Sequence, residues 1–221
     1  MRYRRRGGLC HISRGGLLDY VAAQLGSFFP DGATDLRAVL DKDLDQALAR
    51  LHRCINAVKM WKVDEFDYLH SSQYTIFLYY LANTIWRNQQ NERVCTKLFY
   101  LNKALNGIDC FYKIAMPDIW FIGHSVGIVF ADATYGNYLA VYQNSTVGKN
   151  HGAAPVLGEG VVLFPNSAII GNCNLGPRTF LGQGQSLIDQ DTPGNCIVFS
   201  QAGKPVFRKP GRDLLTDYFR L

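Results

Sequence analysis

The chain has 221 residues with 23 Lys and Arg against 18 Asp and Glu, yet residues 1–14 hold Arg2, Arg4, Arg5, Arg6 and Arg14 and no acid. The rest of the chain is therefore electrically balanced, which removes the support that nucleic-acid binding by a folded domain requires. A hydrophobic content of 48% is ordinary for a globular protein.

In chain order, residues 1–14 form a basic, solvated tail without the apolar core of a secretory signal. A short helix is expected over 17–28, ending at the Pro30-Asp31-Gly32 turn. A long helix follows, started by Thr34 and Asp35. Leu36, Val39, Leu40, Leu44, Ala47, Leu48, Leu51 and Ile55 make its apolar stripe. A third helix covers about 73–88. Its stretch IFLYYLANTIW (76–86) is too short to span a bilayer and contains Asn83, so Phe77, Tyr79, Tyr80 and Trp86 read as core. A fourth helix, about 92–105, stops at Asn106-Gly107. Beyond it β-branched residues, Gly and Asn dominate. The division is thus a tail (1–14), a helical domain (15–107), a second domain (108–210) and a short amphipathic tail (211–221).

The second domain carries a period of six. Leu157, Leu163, Ile169, Leu175, Leu181 and Leu187 recur at every sixth position, with Val161, Ser167, Cys173, Thr179 and Gln185 four residues after the first five. This period fits neither a helix nor a simple strand. It fits a parallel β-helix whose 18-residue coil contains three short strands, each sending one aliphatic side chain inward. Val129, Tyr135, Val141 and Val147 carry the same phase upstream. The spacing from Val147 to Leu157 is ten, so four residues are extra, and 148–156 (GKNHGAAPV) reads as a loop extruded from the coil.

Stacked coils have flat faces, and three copies packed together enclose narrow clefts. A histidine in such a cleft is the natural general base near neutral pH. His124 (in FIGHSVGIVF) and His151 are the histidines of this region. Asp109 and Asp132 are carboxylates suited to fixing the imidazole tautomer of His124. The six cysteines (Cys10, Cys54, Cys95, Cys110, Cys173, Cys196) lack CxxC spacing, which argues against a zinc or redox site. They read as reduced thiols of a cytoplasmic protein.

The helical half, the hexapeptide coil and the ending AGKPVFRKP (202–210) together resemble the serine acetyltransferase branch of the left-handed β-helix acyltransferases. HSVGIVFAD (124–132) is similar to that family's HATGIVVGE. The resemblance covers about residues 70–210 and implies an α+β fold: an N-terminal α-helical domain followed by a left-handed parallel β-helix with one extruded loop. The family's catalytic histidine falls on His124. Its partner aspartate, fifteen residues earlier, falls on Asp109, and its acidic residue eight positions later falls on Asp132. The loop 143–161 resembles the family's loop, with Pro155 and Gly160 in register. In the family that loop ends in Arg-His-Pro, which binds the amino-acid acceptor; here Ala153, Ala154 and Pro155 stand there. The aspartate usual before the histidine is Gly123.

The resemblance implies acetyl-CoA as co-substrate, no metal, and direct acetyl transfer with His124 as base. Its assembly is a homotrimer, or a dimer of trimers joined through the helical half. Arg178, Lys204, Arg208 and Lys209 are candidates for the CoA phosphates, and Lys149 and His151 for acceptor contact. Without the loop arginine a carboxylate acceptor loses its bidentate partner. The expected acceptor is therefore a hydroxyl on a sugar of a surface polysaccharide or nucleotide-sugar pathway. The alternatives are serine itself and a non-catalytic hexapeptide assembly protein.

Overall fold

The computed structural model describes the backbone of residues 8–10 and all of residues 12–221. Arg2, Arg4, Arg5 and Arg6 of the basic tail lie outside the described residues. Gly8–Cys10 forms a strand parallel to Glu65–Asp67, which the tail reading did not anticipate. Arg14 opens the first helix and pairs with Asp41 and Asp45, each at 2.6 Å.

Four helices build the first half: α1 (Arg14–Phe28), α2 (Leu36–Ala57), α3 (Ser71–Gln89) and α4 (Glu92–Asn106). Ser13 caps α1 by accepting from the Gly16 N–H, and Asn91 caps α4 by accepting from the Val94 N–H, satisfying amides that the first turn leaves unpaired. The α2 stripe faces inward, with Leu40, Leu44, Leu51 and Ile55 at 1% exposure or less. The third helix is buried on all sides from Ser72 to Ile85, so the stretch too short for a membrane is the centre of the core. Its polar groups are paired, as a dry site demands. The Asn83 amide donates to the Tyr112 carbonyl, the Tyr79 hydroxyl to the Ile114 carbonyl, and the Tyr80 hydroxyl to the Asp118 carbonyl. Phe77, Tyr79 and Tyr80 are buried and Trp86 is partly buried, all packed in the core. No helix among the described residues is long and apolar enough to cross a membrane.

The second half is a parallel β-helix, the expected architecture. Three parallel ladders run along it. One joins Trp120–Ile122, Leu139–Val141, Val162–Leu163, Thr179–Leu181 and Cys196–Gln201. Another joins Asp109–Cys110, Val129–Phe130, Thr146–Gly148, Ala168–Ile170 and Ser186–Ile188. The shortest joins Thr134–Tyr135, Val156–Leu157 and Asn174–Leu175. Every member of the downstream aliphatic series, Leu157 to Leu187, is at most 1% exposed. The small residues fill corners: the Ser145 and Ser167 hydroxyls meet at 3.3 Å, and the Thr179 hydroxyl donates to the Gly176 carbonyl at 2.7 Å.

One upstream position differs from expectation. Val129 is 41% exposed, and Phe130 takes the inward place against Tyr135. From Phe130 to the inward Tyr135 is five residues, where the equivalent Ile169 to Leu175 is six, so the phase counted back from Tyr135 lands one residue early, on Val129. The end of the coil also differs. Cys196–Gln201 folds back onto Lys204–Arg208 as an antiparallel hairpin, which closes the exposed edge of the first ladder. The last residues return to the helical half: Phe219 pairs with Val58, and the Arg220 guanidinium donates to the carbonyls of Asn56, Val58, Lys59 and Trp61.

Candidate active site

His124 lies on the turn between Trp120–Ile122 and Val129–Phe130, the first corner after the helices, and it is exposed. The turn is held from three sides. The Gly123 N–H donates to the Val141 carbonyl at 2.9 Å, the Ile128 N–H to Ser125 at 3.2 Å, and the Gly127 N–H to Gly107 at 2.9 Å. Gly107 is the left-handed residue that ends α4, so the end of α4 and the histidine turn are directly joined.

Asp109 stands in the strand beside Val129 and its N–H donates to the Ile128 carbonyl at 2.8 Å. Its carboxylate accepts from the Lys103 ammonium at 2.6 Å. Asp132 is exposed and lies 3.6 Å from the Lys149 ammonium. Both carboxylates thus sit on the first coil with His124, each engaged by a lysine. Among the described residues no hydrogen bond joins His124 to either one.

The extruded loop is a tight hairpin. Asn150 and Ala153 exchange both backbone hydrogen bonds, and His151 (φ 48°) with Gly152 (φ 82°) makes the two-residue turn. The four extra residues counted between Val147 and Leu157 are these four. His151 is exposed at the tip. The Asn150 amide donates to Asp189 two coils further on at 3.0 Å, which fixes the hairpin to the scaffold.

The space before His124 is occupied. A Cβ on Gly123 would lie 2.4 Å from the Tyr142 ring, so no larger residue fits there without moving Tyr142. Tyr142 stacks on Phe164 at 6.0 Å and contacts Tyr218 from the C-terminal tail edge-on. Burial pushes the Tyr142 hydroxyl above its ordinary titration range. The matching turn positions of Gly123 and Tyr142 in successive coils are a sequence signal for this contact, but one that the period of six does not isolate.

Of the four candidate phosphate ligands, Arg178 pairs with Asp213 at 2.6 Å and so anchors the C-terminal tail. Lys204, Arg208 and Lys209 are exposed on and after the closing hairpin, and no described acid pairs with them. Arg208, with Phe199, Ser200, Gln201 and Val206, lines a cavity of about 300 Å³. Arg178 is thus paired with an acid, whereas among the described residues the other three are not. Burial pushes the thiols of Cys54 and Cys95 up to about 12, which leaves them protonated and poor nucleophiles. Among the described residues no group of three or more His, Cys, Asp or Glu is placed to hold a metal ion.

No protein-family model matches the chain. It is 30% identical over 132 residues to a serine acetyltransferase of Synechococcus elongatus, covering 56% of this chain and 52% of the relative. The match thus spans about half the length of that curated relative. Among solved structures, it superposes on a serine acetyltransferase in complex with CoA with a TM-score of 0.69 at 19% identity, covering 89% of this chain and 86% of that one. It also superposes on the Neisseria gonorrhoeae serine acetyltransferase in complex with serine, with a TM-score of 0.65 at 19% identity and coverages of 88% and 85%. In sequence and in fold the chain is similar to the serine acetyltransferase branch of the hexapeptide-repeat acyltransferases.

Proposed function

We propose that this chain is an acetyl-CoA-dependent O-acyltransferase of the serine acetyltransferase type, with His124 as general base. The observation that carries this reading is an exposed histidine on the corner where the coil starts, with Asp109 in the neighbouring strand, in a chain 30% identical over 132 residues to a serine acetyltransferase. Acetyl-CoA supplies the thioester whose acetyl carbonyl carbon is attacked and carried to the acceptor. His124 removes the proton from the acceptor hydroxyl as that oxygen bonds to the carbonyl carbon. It then delivers the proton to the sulfur as the carbon–sulfur bond breaks. Asp109, or Asp132, orients the ring and stabilises its protonated form. No cysteine takes part. Lys204, Arg208 and Lys209 fit the phosphates, because each is a cation without a carboxylate partner among the described residues. The working assembly in this reading is a cytoplasmic homotrimer, with the cleft formed between copies.

Serine is the acceptor that the relatives support, better than a sugar of a polysaccharide or nucleotide-sugar pathway. A second reading, a hydroxyl acceptor that is not an amino acid, has specific support. The loop offers Ala153 and Ala154 instead of groups that pair with a carboxylate, and Tyr142 fills the space over Gly123. The test is CoA-thiol release over L-serine, nucleotide sugars and oligosaccharides. Release on serine alone supports the first acceptor, and release on a glycan alone supports the second. Release with none of them argues against transfer to these acceptors.

A further inference from the structure

Two carboxylates stand on the first coil with His124, and they are held differently. Asp132 is 78% exposed at its side chain and lies 3.6 Å from Lys149, which directly follows the strand Thr146–Gly148. Asp109 is 34% exposed and binds the Lys103 ammonium at 2.6 Å through Oδ2 alone. Lys103 belongs to the helical half, in the last turn of α4, one turn before the Gly107 carbonyl that accepts from Gly127 of the histidine turn. Its ammonium also lies 5.9 Å from the Phe99 ring centroid, on the same helix face. One helix end therefore fixes the backbone of the histidine turn and the carboxylate beside it.

We infer that Lys103 is a positioning residue for Asp109, setting the charge that His124 meets and coupling the helical half to the chemistry. This rests on the proposed partnership of Asp109 with His124. The ammonium holds Oδ2 and leaves Oδ1 available to accept a hydrogen bond. It also cancels part of the negative charge that favours protonated His124. The other groups around this corner are the Asp132–Lys149 pair, the Tyr142 side chain against Gly123, the uncharged Asn144 amide against Gly127, and the Ser72 hydroxyl, which donates to the Gly123 carbonyl at 3.4 Å. Val129, the neighbour of Asp109 in the ladder, carries no charge.

The experiment is an NMR titration of the His124 imidazole in the full-length chain, for wild type, Lys103→Met, Lys103→Arg and Asp109→Asn, beside pH–rate profiles of CoA-thiol release. The two charge removals act in opposite directions. Lys103→Met leaves the carboxylate uncompensated and moves the His124 midpoint, and the acidic limb of the rate profile, up by roughly half a pH unit. Asp109→Asn moves both down. Lys103→Arg keeps the wild-type midpoint, which separates charge from a general loss of fold, and circular dichroism checks the fold of each variant. A Lys103→Met midpoint equal to wild type, with Asp109→Asn shifted, overturns the role of Lys103 and leaves the partnership standing. An unshifted Asp109→Asn overturns the partnership, and the role of Lys103 with it.

Discussion

The two halves of this molecule bury apolar side chains by opposite rules. In the helical half no contact repeats along the chain: Tyr80 packs edge-on to Trp120 beside Tyr79, accepts the Trp120 indole N–H at 3.0 Å and lies under the Arg50 guanidinium. In the coil the same contact recurs in each layer, as Ile122, Val141, Leu163, Leu181 and Val198 stand in one row. Repetition makes a departure visible. The long turn bearing His124 and the hairpin 150–153 are where the coil breaks its own rule, and both face solvent. A half without a repeat hides its contributions, and Lys103 looks like any lysine at a helix end.

This contrast can be broken experimentally, beginning with its largest consequence. The halves share one core, through Tyr80–Trp120 and the Val58–Phe219 pairing. Leu40→Ala in α2 and Leu163→Ala in the coil, both fully buried, should each cost about 2–5 kcal/mol. Both should lower one common thermal transition in calorimetry. Two separate transitions, each moved by only one variant, would show that the halves fold independently.

Gly171→Ala sharpens the picture of the hairpin. Gly171 has φ 81°, and a Cβ there would lie 2.1 Å from the Asp189 carboxylate that anchors Asn150. The expected cost is about 1–3 kcal/mol in chemical denaturation, with faster amide exchange at 150–153. Unchanged exchange would mean that Asp189 does not clamp the hairpin.

Arg220→Ala removes a guanidinium that donates to four carbonyls around the end of α2. Because the side chain is partly solvated, about 1 kcal/mol is expected in urea denaturation. An effect within error would make the tail an ornament of the fold rather than a tie between its halves.

The smallest effect concerns pH. Lys97, and after it Arg93, holds the Asp31 carboxyl well below the usual carboxylate range. Its folded value is depressed, so its contribution is complete above the unfolded value of about 3.9 and is lost as pH falls through the lower folded value. The stability gap between wild type and Asp31→Asn should therefore be constant above about pH 5 and close in acid. A gap that widens in acid would contradict the pairing.

The coil was legible because a β-helix writes the same instruction six residues apart, and Leu157 to Leu187 all point where the period places them. The phase failed at Val129 because the turn from Phe130 to Tyr135 is one residue shorter than its counterparts, which shifts a strand by one position without changing its composition. The four-residue excess after Val147 located the hairpin, but nothing local announces that Asn150 will meet Asp189. Three site features depend on contacts far apart in sequence or across coils: Tyr142 against Gly123, Arg178 on Asp213, and Phe219 on Val58. Lys103 and Asp109 are only six residues apart, yet a helix end and a left-handed glycine intervene, so their meeting depends on the turn geometry at Gly107.

His124 carries the proposed chemistry, and one comparison tests its role directly. CoA-thiol release from acetyl-CoA should be measured for wild type and His124→Ala side by side, with the acceptor that gives turnover and with the fold of each checked. Loss of a positioned general base should lower the rate by about 10²–10⁴-fold, with CoA binding retained. A His124→Ala variant that turns over at a near-normal rate would contradict the central claim.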